Sequence, residues 1–116
     1  MTASSPGGDE LVRILAALAS PHRMRVVAAL TGGRNYVSRL ARELGISRAL
    51  LQVHLRKLES VGLVSSDLEL SEDGKALKFY EVVPFDLTLT PRVIQGAAST
   101  LTSLDALETD AKKGTE

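Results

Sequence analysis

The side chains with the most chemistry to offer lie in the run SRALLQVHLRK, residues 47–57. Leu51, Leu55 and Leu58 recur there at i, i+4 and i+7, which winds them into one apolar stripe of a helix. The same winding turns Ala49, Val53 and Arg56 to the opposite side, with Gln52, Lys57 and Ser60 at the flanks. Gln can make a bidentate bond to adenine and Arg to guanine, while Ala or Val can touch a thymine methyl. Ser47 and the free N–H groups of the first helical turn could hold a phosphate. Arg39, Arg42 and Lys57 suit phosphate oxygens, contacts that position a duplex without reading it. This set can read a nucleic-acid groove without making or breaking a bond. A charged, solvated helix face is the ordinary alternative.

Other chemistry is thinly supplied. The chain has no Cys, which excludes disulfides, thiolate metal sites and thiol redox sensing by this chain alone. No nucleophile-base arrangement, phosphate-binding glycine loop or metal-ligand pair at helical spacing is present, so no enzyme is expected. The two histidines are His22, in the Pro-His-Arg opening of a helix, and His54, on the border of the leucine stripe. Packing or capping is their simpler role. Two imidazoles could still coordinate nickel or zinc with carboxylates, within one chain or across a dimer. The acidic residues around 67–73 could hold a cation, though a solvated acidic turn is the plainer reading.

Several elements must position these residues. Residues 38–45 and 47–61 read as two short helices capped by Ser38 and Ser47, with Gly45 permitting the turn and Gly62 stopping the second helix. A helix, a glycine turn and a second helix is the arrangement that lays the second helix in a DNA major groove. Upstream, LVRILAALA predicts a helix over 9–19, and Ser20-Pro21 restarts one over 21–31, ended by Gly32-Gly33. Asn35-Tyr36-Val37 fits a brief extended segment. Leu63–Leu70 and Ala76–Val83 read as two strands about the turn SEDGK, with Leu68, Leu70, Leu77 and Phe79 alternating with charged residues so that one face meets the core. Pro91 opens a last helix over 92–109, whose apolar stripe includes Ile94, Leu101, Leu104 and Leu107. The expected organisation is a disordered tail at 1–8, one domain at 9–110 and a frayed tail at 111–116. The helices at 9–19 and 92–109 carry more apolar surface than so small a core needs, and a dimer interface would use it.

The formal net charge is zero, but the charges are segregated. Between residues 34 and 57, Arg34, Arg39, Arg42, Arg48, Arg56 and Lys57 stand against Glu43 alone. Between 58 and 91, Glu59, Asp67, Glu69, Glu72, Asp73, Glu81 and Asp86 outweigh Lys75 and Lys78. A local positive footprint can thus exist on a neutral protein. At 44% apolar and 24% charged residues the chain should fold. It has no apolar run of the roughly 18 residues a membrane span requires and no signal-peptide pattern, so the cytoplasm is expected.

Taken together, the stretches LASPHRMRVVAAL at 18–30, LARELGISRALLQVHLRKLESVGLV at 40–64 and GKALKFYEV at 74–82 resemble the ArsR/SmtB-like winged helix-turn-helix transcriptional regulators. The turn LSEDGKAL also resembles MarR-type regulators, a group for which this chain is short. The resemblance implies a mainly α fold with a small antiparallel β-hairpin, about five helices, and end helices that form a dimer interface. It implies a homodimer acting on operator DNA, and it places Arg48, near the start of the second helix, against the duplex. Departures stand beside it. The Cys sites of metal-sensing members are missing, and the last helix region contains Asp105, Glu108 and Asp110 but no His. The expected wing carries Asp67, Glu69, Glu72 and Asp73 where a DNA-gripping wing would carry Lys or Arg, so residues 38–64 together with Arg34 must supply the positive contact. Two other functions stay open: a winged-helix interaction module serving a partner or sensor protein, and a metal-responsive regulator with an atypical His/carboxylate site.

Overall fold

The computed structural model describes residues 6–102, whose elements are α1 (Gly8–Leu18), α2 (Pro21–Thr31), β1 (Asn35–Tyr36), α3 (Val37–Leu44), α4 (Arg48–Ser60), β2 (Val64–Leu70), β3 (Ala76–Val82) and α5 (Pro91–Ala98). This is an α+β fold of five helices and one antiparallel sheet. The described residues divide into two units, 14–85 and the segments 6–13 and 86–102. No described helix is long and apolar enough to cross a membrane.

Residues 14–85 hold the core. Leu51, Leu55 and Leu58 of α4 are fully buried against Val26 and Leu30 of α2, Leu40 of α3, Val64 of β2 and Tyr80 of β3. Burying each leucine contributes about 1.5–3 kcal/mol, enough for the three to fix which way α4 faces. The helix starts follow local chemistry. Ser20 Oγ accepts from the Arg23 N–H at 3.2 Å with Pro21 in the first turn, and Ser47 Oγ accepts from the Leu50 N–H at 3.0 Å.

Ser38 does not cap α3. The N-cap is Tyr36, without a side-chain bond, and Ser38 lies inside the first turn. The reason is that the extended segment before it is a true strand: Asn35 pairs with Tyr80 and Tyr36 with Phe79, so the chain passes straight from sheet to helix. The sheet therefore has three strands in the order β1-β3-β2, not the expected two. The expected faces also need correction. Leu68 opposes Lys78 and Asp67 opposes Phe79, so Leu68 and Leu70 lie on the face opposite Leu77 and Phe79. That face is buried only at its base, where Val64 and Tyr80 sit; Leu68 and Leu70 project beyond the helices, 66% and 78% exposed.

In the other unit, Thr90 Oγ1 accepts from the Val93 N–H at 3.0 Å and Pro91 opens α5 as expected. The helix then stops at Ala98, well short of 109. Ser99 Oγ donates to the Gly96 carbonyl at 2.6 Å and Thr100 Oγ1 to the Ala97 carbonyl at 2.9 Å, so hydroxyls take up carbonyls that a further turn would have used. The start of α1 packs closely on this end. The Gly8 N–H donates to Thr100 Oγ1 at 2.7 Å, and a Cβ on Gly8 would come within 2.8 Å of the Leu101 side chain and closer still to the Ala97 carbonyl. Asp9 accepts from the Thr102 N–H at 2.9 Å and from its hydroxyl, and these bonds hold its carboxyl below the usual range. Helix α1 thus begins at Gly8, inside the expected tail. The expected helix at 103–109 and the tail at 111–116 lie outside the described residues.

Candidate nucleic-acid interface

The turn between α3 and α4 is built as the sequence implies. Gly45 adopts φ +70°, and the Ile46 N–H returns to the Ala41 carbonyl at 3.1 Å, closing α3 and turning the chain towards the Ser47 cap. Because the leucine stripe of α4 is buried, its other side must face out. Arg48, Ala49, Gln52, Val53, Arg56 and Lys57 are all exposed, as are Ser47, Arg39 and Arg42. Apolar groups contribute to this face too: Val53 is 51% exposed and Leu50 39%. Leu50 was not singled out from the sequence, although its place outside the 51-55-58 stripe and three residues before Val53 was a usable signal.

A recess of about 250 Å³ opens beside the start of α4, lined by Arg48 and Gln52, by Tyr36, Val37 and Ser38, and by Leu77 and Lys78. The fold thus brings Lys78 of the wing next to two side chains of the expected contact set, an association that no sequence spacing revealed. The cations differ in what they already hold. Arg39 Nε lies 3.2 Å from Glu43 Oε2, and Asn35 Nδ2 donates to Glu43 Oε1 at 3.3 Å. Among the described residues, Arg42, Arg48, Arg56 and Lys57 form no ion pair. Arg34 belongs elsewhere. It makes a two-pronged ion pair with Glu69 of β2, 2.9 Å on one side, while its guanidinium carbon lies 4.3 Å above the Phe79 ring. The bonds to Glu69 raise the pKa of Arg34 and lower that of Glu69. The expectation that Arg34 adds to the positive footprint is therefore corrected: it neutralises one carboxylate of the wing.

His22 of α2 and His54 of α4 sit together. Their ring centroids are 5.3 Å apart and tilted by 32°. His54 is buried, with Nδ1 3.3 Å from an Arg23 guanidinium nitrogen. Arg can only donate, so Nδ1 accepts and the hydrogen-bond network assigns the ring proton to Nε2, which has no partner among the described residues. Arg23 also donates to the Ala17 carbonyl at 2.6 Å, tying the last turn of α1 to α4 through His54. A metal on Nε2 would force the proton onto Nδ1, against the Arg23 donors. Among the described residues no group of three His, Asp or Glu side chains is placed to hold a metal. Burial first, then the charges of Arg23 and His22, pushes the His54 pKa down.

A family model described as a helix-turn-helix domain matches residues 18–67. An uncharacterised HTH-type transcriptional regulator of Methanocaldococcus jannaschii is 34% identical over 86 residues, covering 74% of this chain and 90% of that protein. The chain belongs to the helix-turn-helix transcriptional regulators. Solved structures agree on the fold of this regulator. A Mycobacterium bovis domain, described as a homodimeric winged helix-turn-helix DNA-binding domain of a possible ArsR-family regulator, superposes with TM-score 0.58 at 21% identity, covering 93% of this chain and 85% of that one. NolR from Sinorhizobium fredii gives TM-score 0.57 at 23% identity, covering 85% and 92%. The transcriptional repressor BigR from Xylella fastidiosa gives 0.56 at 22%, covering 78% and 82%. The fold is thus that of winged helix-turn-helix proteins, as the sequence resemblance implied, with α3, the Gly45 turn and α4 inside the matched helix-turn-helix domain.

Proposed function

We propose that the regulator acts in the cytoplasm as a homodimer on a pseudo-palindromic operator, each copy laying α4 in one of two successive major grooves. Ala49, Gln52, Val53 and Arg56 read base edges, with Arg48 and Ser47 at the groove margin. Arg39, Arg42 and Lys57 meet phosphates, Arg39 by exchanging Glu43 for the duplex. The observation that carries this reading is the two-sidedness of α4: one side fully buried, the other a continuous exposed strip of polar, basic and small apolar residues. The M. bovis domain is described as homodimeric, and exposed Val12, Leu89, Ile94 and Leu101 supply apolar surface for such an assembly here.

The test is a titration of labelled DNA from the protein's own upstream region at several salt concentrations. Affinity should fall steeply with salt, and Arg56→Ala should weaken binding and relax preference at one base position, by about 1–3 kcal/mol. An equal loss on every sequence would make Arg56 a phosphate contact. No DNA affinity at low salt would favour a module that serves a partner protein. Adding nickel or zinc should leave binding unchanged, and a metal response would restore the His22/His54 site as an effector site.

A further inference from the structure

The wing leaves a strand edge open. β2 is an outer strand of the sheet, hydrogen-bonded only to β3. In an antiparallel pair, opposed residues alternate between exchanging their backbone hydrogen bonds and making none to each other. The Val83 N–H donates to the Leu63 carbonyl at 2.9 Å and the Ser71 N–H to the Lys75 carbonyl at 2.7 Å, which sets the phase at both ends of the hairpin. Counting along the register, Ser65, Asp67 and Glu69 are the bonded positions. The N–H and C=O groups of Ser66, Leu68 and Leu70 therefore point away from β3. Among the described residues they meet no backbone partner outside the sheet. The two leucines at this edge are also the most exposed large apolar side chains of the wing.

Such an edge is a template for one more strand. Its charge says which. Asp67, Glu69 and Glu81 share the other face, where Arg34 offsets Glu69, and Glu72 and Asp73 lie on the turn against Lys75 and Lys78, so the wing stays net acidic. A phosphate backbone would be repelled. A second copy of β2 would bring Asp67 and Glu69 of one chain against those of the other, a like-charge pairing that Arg34 offsets only in part. A strand whose alternate residues are apolar and basic would satisfy both faces, its apolar side chains on Leu68 and Leu70 and its cations beside Asp67. We propose that the β2 edge docks an extended segment of a partner protein with alternating apolar and basic residues, which adds to the wing as a fourth strand.

The experiment uses the full-length, isotope-labelled protein and a capped peptide of four Lys-Val repeats. Controls are a peptide of the same composition in two blocks and a repeat peptide N-methylated on alternate amides. The repeat peptide should shift the amide resonances of Ser66, Leu68 and Leu70 and slow their hydrogen exchange. Neither control should do so. The double variant Leu68→Lys/Leu70→Lys, altered only at exposed positions, should keep the wild-type melting transition and weaken the peptide by about tenfold or more. Equal binding of the block or N-methylated peptide would reduce the effect to charge attraction and overturn the proposal. So would shifts confined to other elements, or none at millimolar peptide. Self-association of the wild type that the double variant abolishes would also overturn it, by making a second copy the occupant.

Discussion

Protonating His54 should weaken the fold, and the direction and ceiling of the effect follow from its surroundings. The ring is buried, its Nδ1 accepts from Arg23, and both Arg23 and His22 would repel a charge placed on it. The folded-state pKa is therefore lowered, while the unfolded chain titrates near the ordinary value of about 6.5. A base that binds its proton more weakly when folded adds stability that is complete above the unfolded pKa. That stability drains away as pH falls below about 6.5, and the loss levels off below the folded pKa. One such group imposes a slope of at most about 1.4 kcal/mol per pH unit. Urea unfolding monitored between pH 8 and about pH 5, at fixed protein concentration, reads the effect as a falling midpoint with an unchanged m-value. His54→Leu removes the titrating ring and the unpartnered Nε2–H together, so its midpoint should be flatter across that range. The carboxylates whose pKa values are lowered, Asp9, Glu69 and Asp73, act at more acidic pH and do not imitate the effect. A wild-type midpoint that is level from pH 8 to 5, or a slope that His54→Leu leaves intact, would refute the assignment.

Two further predictions concern the reading element and its charge. At Gly45 a Cβ would meet nothing within 4 Å, so Gly45→Ala should cost only the left-handed backbone, about 1–2 kcal/mol, and Gly45→Asn less, as read by denaturant midpoints. A much larger loss would mean that the turn is packed rather than merely bent. Arg34→Ala should leave the salt dependence of DNA binding unchanged, because Arg34 is committed to Glu69 and Phe79, whereas Lys57→Ala should flatten the log-log slope by about 0.9 per copy, or about 1.8 for the proposed dimer. Equal flattening by both would return Arg34 to the interface.

What the sequence revealed and what it concealed divide along one line. Periodic and local signals were legible. The 51-55-58 leucines gave the buried side of α4, Ser20-Pro21, Ser47 and Thr90-Pro91 marked helix starts, and Gly45 and Gly62 stand at positive φ where chain reversals were expected. Relations between distant segments were not. Alternation along each wing strand is equally compatible with either cross-strand register, so nothing local showed that Leu68 and Phe79 occupy opposite faces. A two-residue strand has no period to detect, which hid β1. Arg34 finds Glu69 thirty-five residues away, and no charge count could separate that pair from a free cation. The apolar spacing of the last helix runs on through Leu101, Leu104 and Leu107, so nothing periodic marks the stop at Ala98, where the hydroxyls of Ser99 and Thr100 bond back to carbonyls. In the candidate interface, the exposed strip on α4 was readable and the recess joining it to Lys78 was not.

The corrected charge map makes the salt dependence of DNA binding a test of assembly as well as of contact. Among the described residues Arg34 is held by Glu69, which leaves Arg39, Arg42 and Lys57 as the phosphate contacts of the proposed reading, with Arg56 on the bases. If each of the three neutralises one phosphate, a single copy should give a log-log slope of about −2.7, and the proposed dimer about −5.4. The acidic wing cannot make up the difference, since its net charge opposes the backbone. A dimer-sized slope with an operator holding both half-sites, falling by half when one half-site is destroyed, requires two reading helices on one duplex. A single-copy slope on the intact operator, at concentrations where sedimentation shows dimers, would mean that only one α4 engages. The two-groove arrangement would then fail even with every α4 contact correct.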